Sequence, residues 1–158
     1  MLDAALKTTD VRPGLLRVER EFGTLEIHSF FQEAVQVAGR EALAKFDLTE
    51  LDRWKPEVVS VKTISNMDAY EAQLVNRMAR GGQLLKGQTL CVIEVSPAAY
   101  VMLAANEAEK AAEINILEVR AFGSFGRVYL GGEDKDIDVA WRAAETAIEN
   151  VSGRVIGE

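Results

Sequence analysis

Residues 117–130 read Leu117-Glu118-Val119-Arg120-Ala121-Phe122-Gly123-Ser124-Phe125-Gly126-Arg127-Val128-Tyr129-Leu130. Two alternating apolar runs flank a Phe-Gly-Ser-Phe-Gly connection, the pattern of a strand, a tight glycine loop and a second strand. An alanine-rich helical stretch precedes it over residues 97–114, and another helical stripe follows over residues 136–151. A strand over residues 89–95 stands before the first of these helices. Strand, helix, strand, loop, strand and helix in this order predict an α/β unit. The order recurs around Val18-Glu19-Arg20-Glu21-Phe22-Gly23-Thr24, at an offset that matches Arg20 with Arg120 and Phe22-Gly23 with Phe122-Gly123. The chain reads as an imperfect duplication, its two copies too few for a solenoid.

Outward from that stretch the pattern continues in both directions. Residues 1–10 read as the end of a helix, broken by Arg12-Pro13-Gly14. Strands are expected over 15–20 and 24–29, and a helix carries Phe31, Ala34, Val35, Ala38, Ala42 and Phe46 at helical spacing. Residues 47–55 are loop-like or short-helical. The β-branched residues of 58–64 predict a strand, and Asn66 a cap for a helix ending near Met78. The glycines after Arg80 place the boundary between halves at residues 84 and 85, giving units 1–84 and 85–158. Ser96-Pro97 is a helix start. Trp54 and Trp141 are expected as packing anchors. Gly153 suits the last helix's C-terminal cap, and a short final strand is expected beyond it.

The chain has 158 residues, 48% hydrophobic and 27% charged, enough for a packed core with a solvated surface. Its formal net charge of -7 argues against a general nucleic-acid partner, because such affinity rests on neutralising phosphates. The single cysteine, Cys91, lies within the apolar run Thr89-Leu90-Cys91-Val92-Ile93, as a small buried hydrophobe would. No run approaches the roughly 18 apolar residues of a membrane span and no signal peptide is evident, so a cytoplasmic protein without a membrane partner is expected. Catalytic chemistry finds little support. His28 is the only histidine and has no ligating neighbours in sequence, so neither a metal site, another cofactor nor a triad is expected. Glu133, Asp134, Asp136 and Asp138 lack the glycine and terminal glutamate of a calcium loop, and read as acidic residues at a helix start. Gly131-Gly132 reads as a turn.

Three segments carry a more specific signal: Gly87-Gln88-Thr89-Leu90-Cys91-Val92-Ile93-Glu94-Val95-Ser96-Pro97-Ala98, Ala104-Ala105-Asn106-Glu107-Ala108-Glu109-Lys110-Ala111-Ala112, and Arg120-Ala121-Phe122-Gly123-Ser124-Phe125-Gly126-Arg127. Together they resemble a bacterial microcompartment shell domain. Ala4-Ala5-Leu6-Lys7 and Val18-Glu19-Arg20 before Phe22-Gly23 give a second match. Nearly the whole chain is similar to the tandem-domain, trimer-forming shell proteins of the carboxysome-type stacking class. The resemblance implies two tandem ferredoxin-like α/β domains. Three chains would form a pseudo-hexamer that tiles with hexameric and pentameric shell proteins, is able to stack face to face with a second trimer, and passes small metabolites through a central pore. It implies a pore gate at Glu19 and Arg20, pore loops at Phe22, Gly23, Phe122, Gly123, Ser124, Phe125 and Gly126, and a tiling edge at Lys7, Asn106 and Lys110. It implies no enzyme activity, and a place in the shell of a cytoplasmic compartment.

The chain departs from the family in two places. The family's first domain opens with a strand and a full helix, of which residues 2–9 match only the end. Either the start at Met1 is truncated, or this member closes its first domain differently. Glu21 stands where the family has a small residue, adding negative charge beside the pair. The competing reading is a trimeric ferredoxin-like module that senses a small molecule between subunits.

Overall fold

The structure, a computed structural model, describes residues 1–19 and 22–155. Contacts divide the chain into two compact units, Met1–Lys55 together with the stretch from Ser152, and Pro56–Val151.

The first unit holds α1 (Leu2–Thr8), β1 (Arg12–Val18), β2 (Gly23–His28) and α2 (Gln32–Ala44). β1 and β2 pair antiparallel, Leu16 opposite Leu25 and Val18 opposite Gly23, with an irregularity between Pro13 and Leu16. Its core is made of small side chains: Ala5 and Val11 pack on Ala38 and Ala42, with Ile27, Ala34 and Val35 around them. Thr9 Oγ1 donates to the Ala34 carbonyl at 2.9 Å, joining the end of α1 to α2. The outer strand stays open to solvent, and Val18 is 81% exposed. A short 3-10 turn at Glu50–Asp52 starts from a reciprocal cap between Thr49 and Asp52. Beyond it Trp54 bridges Arg154, whose guanidinium pairs with Asp52. The expected final strand reduces to that bridge within the described residues, and Trp54, half exposed, is no packing anchor.

The second unit runs β3 (Glu57–Ile64), α3 (Ala69–Met78), β4 (Thr89–Ser96), α4 (Val101–Ala111), β5 (Asn115–Arg120), β6 (Gly126–Gly132) and α5 (Asp134–Glu149). All neighbours in its sheet are antiparallel, in the order β3-β4-β6-β5. The strand period of two splits β4 between two cores. Cys91, Ile93 and Val95 face α4 and α5, where Ala104, Ala105, Ala108, Ala140 and Ala144 give the helices little bulk to separate them. Leu90 faces the other side, with Met67, Ala72, Leu84 and Leu117 under α3. Of the stripe predicted from Ile137, Ala140, Trp141, Ala144, Ile148 and Val151, the four residues Ile137, Ala140, Ala144 and Ile148 are fully buried, Trp141 packs at the border, and Val151 lies past the helix end and is half-buried. Acidic residues do stand in the first turn of that helix, but it ends at Glu149 with Asn150 as cap, ahead of Gly153.

The compact units do not divide at residues 84 and 85. β3 is hydrogen-bonded to β4 from Glu57–Ser96 to Ile64–Leu90, which draws β3 and α3 into the second unit. The segment after α3 then runs beside β5: the amides of Arg80 and Gly81 donate to the Leu117 carbonyl and that of Gly82 to Ile116. A Cβ at Gly81 would overlap the Ile116 carbonyl, so these glycines permit a backbone strap along the sheet edge. Capping of α3 also differs from expectation. Asp68, not Asn66, accepts from the Tyr70 amide at 2.8 Å, while Asn66 takes a positive φ of 52° in the turn before it. Ser96-Pro97 leads into a 3-10 turn at Ala98–Tyr100, and α4 begins only at Val101.

The duplication is visible in element order, with α1-β1-β2-α2 in one unit and α4-β5-β6-α5 in the other. Among the described residues the first unit has a two-stranded sheet and the second a four-stranded one. No described helix is long and apolar enough to cross a membrane.

Candidate functional site

Both stretches singled out by sequence lie at the ends of paired strands. In the first unit the Glu19 amide, just past the end of β1, donates to the carbonyl of Phe22, just before β2, at 2.8 Å. Glu19 forms an ion pair with Arg17 at 3.2 Å. Arg17 is in β1 and Glu19 is the residue after its end, two positions on, so extended backbone puts the two side chains on one face. Arg20, expected as the other half of the gate, and Glu21 lie outside the described residues. Phe22 is 45% exposed and Gly23 opens β2.

In the second unit residues 121–125 join β5 to β6. Gly123 has φ 89°, the left-handed region open to glycine at little cost, and it turns the chain so that Ser124 and Phe125 are exposed while Phe122 is half-buried. The loop's return is fixed at Gly126, which is buried so tightly against the Ala98 carbonyl that no Cβ fits. The loop therefore has a rigid base and an exposed tip.

Below that tip lies an ion-pair network that sequence reading left out of the site. The register runs Ser60, Glu94, Arg127 and Arg120 across all four strands. Arg127 Nε donates to Glu94 Oε1 at 2.5 Å, and Ser60 Oγ to Glu94 Oε2 at 2.8 Å. Arg120 Nη2 donates to Glu118 Oε2 at 2.9 Å, and its guanidinium lies 5.8 Å from the Tyr129 ring centre. The hydrogen bonds from Arg127 and Ser60 hold the Glu94 carboxyl below its usual range. Those to Glu118 and Glu94 raise the two guanidinium pKa values further, keeping both arginines charged. The spacing of Glu118 and Arg120, two residues apart, was the available signal. Arg127 and Glu94 become partners only through the β4–β6 register.

The expected tiling residues stand at helix ends. Lys7 is in the last turn of α1, paired with Asp3 at 2.9 Å, and Lys110 in the last turn of α4, paired with Glu107 at 2.9 Å. Asn106 Nδ2 donates to the same Glu107 carboxylate. All three side chains are exposed.

Residues 1–52 match the model of the CsoS1D N-terminal domain. Over 154 residues the chain is 57% identical to the carboxysome shell protein CcmP of Synechococcus elongatus, spanning 98% of this chain and 72% of that protein. The chain belongs to the CsoS1D and CcmP family of carboxysome shell proteins. Two solved shell proteins of the RMM microcompartment share its fold. The double-ringed trimeric protein MSM0271 is 35% identical with a TM-score of 0.91, over 98% of this chain and 77% of that one. The fused permuted hexameric protein MSM0275 is 42% identical with a TM-score of 0.84, over 92% and 74%. The chain is thus a microcompartment shell protein of tandem α/β domains, and the sensing-module reading is not favoured.

Proposed function

We propose that three copies of this chain assemble into a flat pseudo-hexamer around a central pore, in a structural and not a catalytic role. The observation that carries this reading is the match to a double-ringed trimeric shell protein over almost the full chain. Glu19 and Arg20 form the gate, and Phe22, Gly23 and the loop from Phe122 to Gly126 line the opening. Support comes from the exposed tip of the loop of residues 121–125 and from the Glu19–Phe22 backbone bond between β1 and β2, since glycine and short turns let backbone crowd an axis. Small metabolites cross there. Lys7, Asn106 and Lys110 form the edge that meets hexameric and pentameric neighbours, and two trimers stack face to face. The assembly works in the shell of a cytoplasmic compartment.

The test is solution mass by light scattering with negative-stain images of the same sample. A mass of three or six chains and a three-fold particle with a central hole are expected. A monomer or dimer would overturn the assembly.

A further inference from the structure

We propose that a cavity of the second unit, between β3, the start of β4 and α5, binds a small organic cation that carries a primary ammonium group. Its volume is about 310 Å³, enough for a short-chain amine. Two periodicities converge to build its walls. Val61 and Thr63 alternate onto one face of β3, and Ser65 continues the step just past the strand's end. Asp134, Ile137, Asp138 and Trp141, spaced three and four apart, share one face of α5. Thr89, 2% exposed at the start of β4, completes the lining.

The direction of the hydrogen bonds sets what this cavity accepts. The hydroxyls of Thr89 and Ser65 both donate to the Asp134 carboxylate. The Trp141 indole and Arg142 Nε donate to Asp138, the latter at 3.0 Å. Those donors are committed, so the lone pairs left on two hydroxyl oxygens and two carboxylates face the space. Arg142 neutralises Asp138, whereas among the described residues no cation pairs with Asp134. The bonds from Thr89 and then Ser65 hold the Asp134 carboxyl below its ordinary range, which keeps it charged. An acceptor-rich cavity with one unbalanced negative charge complements an ammonium, which has three donors and no acceptor. Val61, Ile137 and the Trp141 ring give the carbon chain an apolar wall. A metal ion fits less well, since among the described residues no three His, Cys, Asp or Glu side chains are grouped to hold one. The site lies within one chain and does not depend on the proposed assembly.

The experiment titrates the full chain with n-propylammonium chloride, n-propanol and sodium chloride by calorimetry at constant ionic strength. Saturable binding of propylammonium alone is expected. D134N should weaken it by about tenfold or more, because a charge-assisted bond is lost. D136N, in the same first turn of α5 but outside the cavity, should leave affinity unchanged. T63K, which places an ammonium of the chain's own at the exposed wall, should abolish binding. With W54F, Trp141 is the only indole left, and its fluorescence should change along the same saturation curve. Absence of saturable binding by the unmodified chain would overturn the proposal, as would equal binding of propanol or of sodium, or unchanged affinity in a folded D134N or T63K variant.

Discussion

Asn76 holds Leu84 by both ends of its side-chain amide: Nδ2 donates to the Leu84 carbonyl at 2.9 Å, and Oδ1 accepts from the Leu84 amide at 2.8 Å. The backbone donor and acceptor together fix which way the amide points. Leu84 is 1% exposed and central to the core beneath α3. One polar side chain thus ties the helix to the strap that runs beside β5. Asn76→Ala would leave two inward backbone groups without partners, and should lower stability by about 2 kcal/mol in thermal or urea unfolding. An unchanged midpoint would mean that the strap is held by Leu84 packing alone.

Glycines give two predictions of opposite sign. Gly126→Ala drives a methyl into the Ala98 carbonyl and should cost about 1–3 kcal/mol, because strand and turn would both have to shift. Gly39, within α2, has open space where its Cβ would be, so Gly39→Ala should stabilise by about 0.5–1 kcal/mol through helix propensity. Melting curves of the two variants, one moving down and one up, check both.

Glu94 gives a pH dependence. Its carboxyl is held below the ordinary value of 4.5, first by the hydrogen bond from Arg127 and then by that from Ser60. A carboxyl depressed by folding adds stability that is fully present above its unfolded pKa and is lost as pH falls through the folded one. The melting temperature of the native chain should therefore fall more steeply below about pH 4.5 than that of E94Q. Parallel curves would show that the network adds nothing to the fold.

Lys110 separates tiling from folding. Its ion pair with Glu107 is exposed, so it contributes little stability and Lys110→Ala should melt within about 1 kcal/mol of the native chain. Co-assembly into extended sheets with hexameric shell proteins, scored by electron microscopy, should be lost while trimers persist. Intact sheets would remove Lys110 from the edge.

Glu19→Ala with Arg20→Ala should leave the trimer and open the pore. Images of the double variant with a closed centre would take these residues out of the gate.

Much of the second unit was legible because its period is clear. The apolar run of β4 and the α5 stripe that contains its four buried positions could be read from sequence alone. The first unit's hairpin was legible from Phe22-Gly23, although β1 begins at Arg12, earlier than Leu15, because Pro13 lies in the irregular part of an outer strand where it interrupts less of the ladder. What could not be read was which strands become neighbours. β3 joins β4 and the strap joins β5 through backbone hydrogen bonds, which carry no residue code. For the same reason the Glu94–Arg127 pair, 33 positions apart, emerged only once the register was known.

Cys91 is fully buried in β4, and desolvation raises its thiol pKa to about 12. As the one cysteine in the chain, it turns the second unit into its own clock. A thiol reagent at neutral pH can modify it only when that unit opens, and the first unit, having no sulfhydryl, stays silent. The labelling rate thus measures how often one half of the molecule breathes, alone or locked within a shell, without any engineered probe.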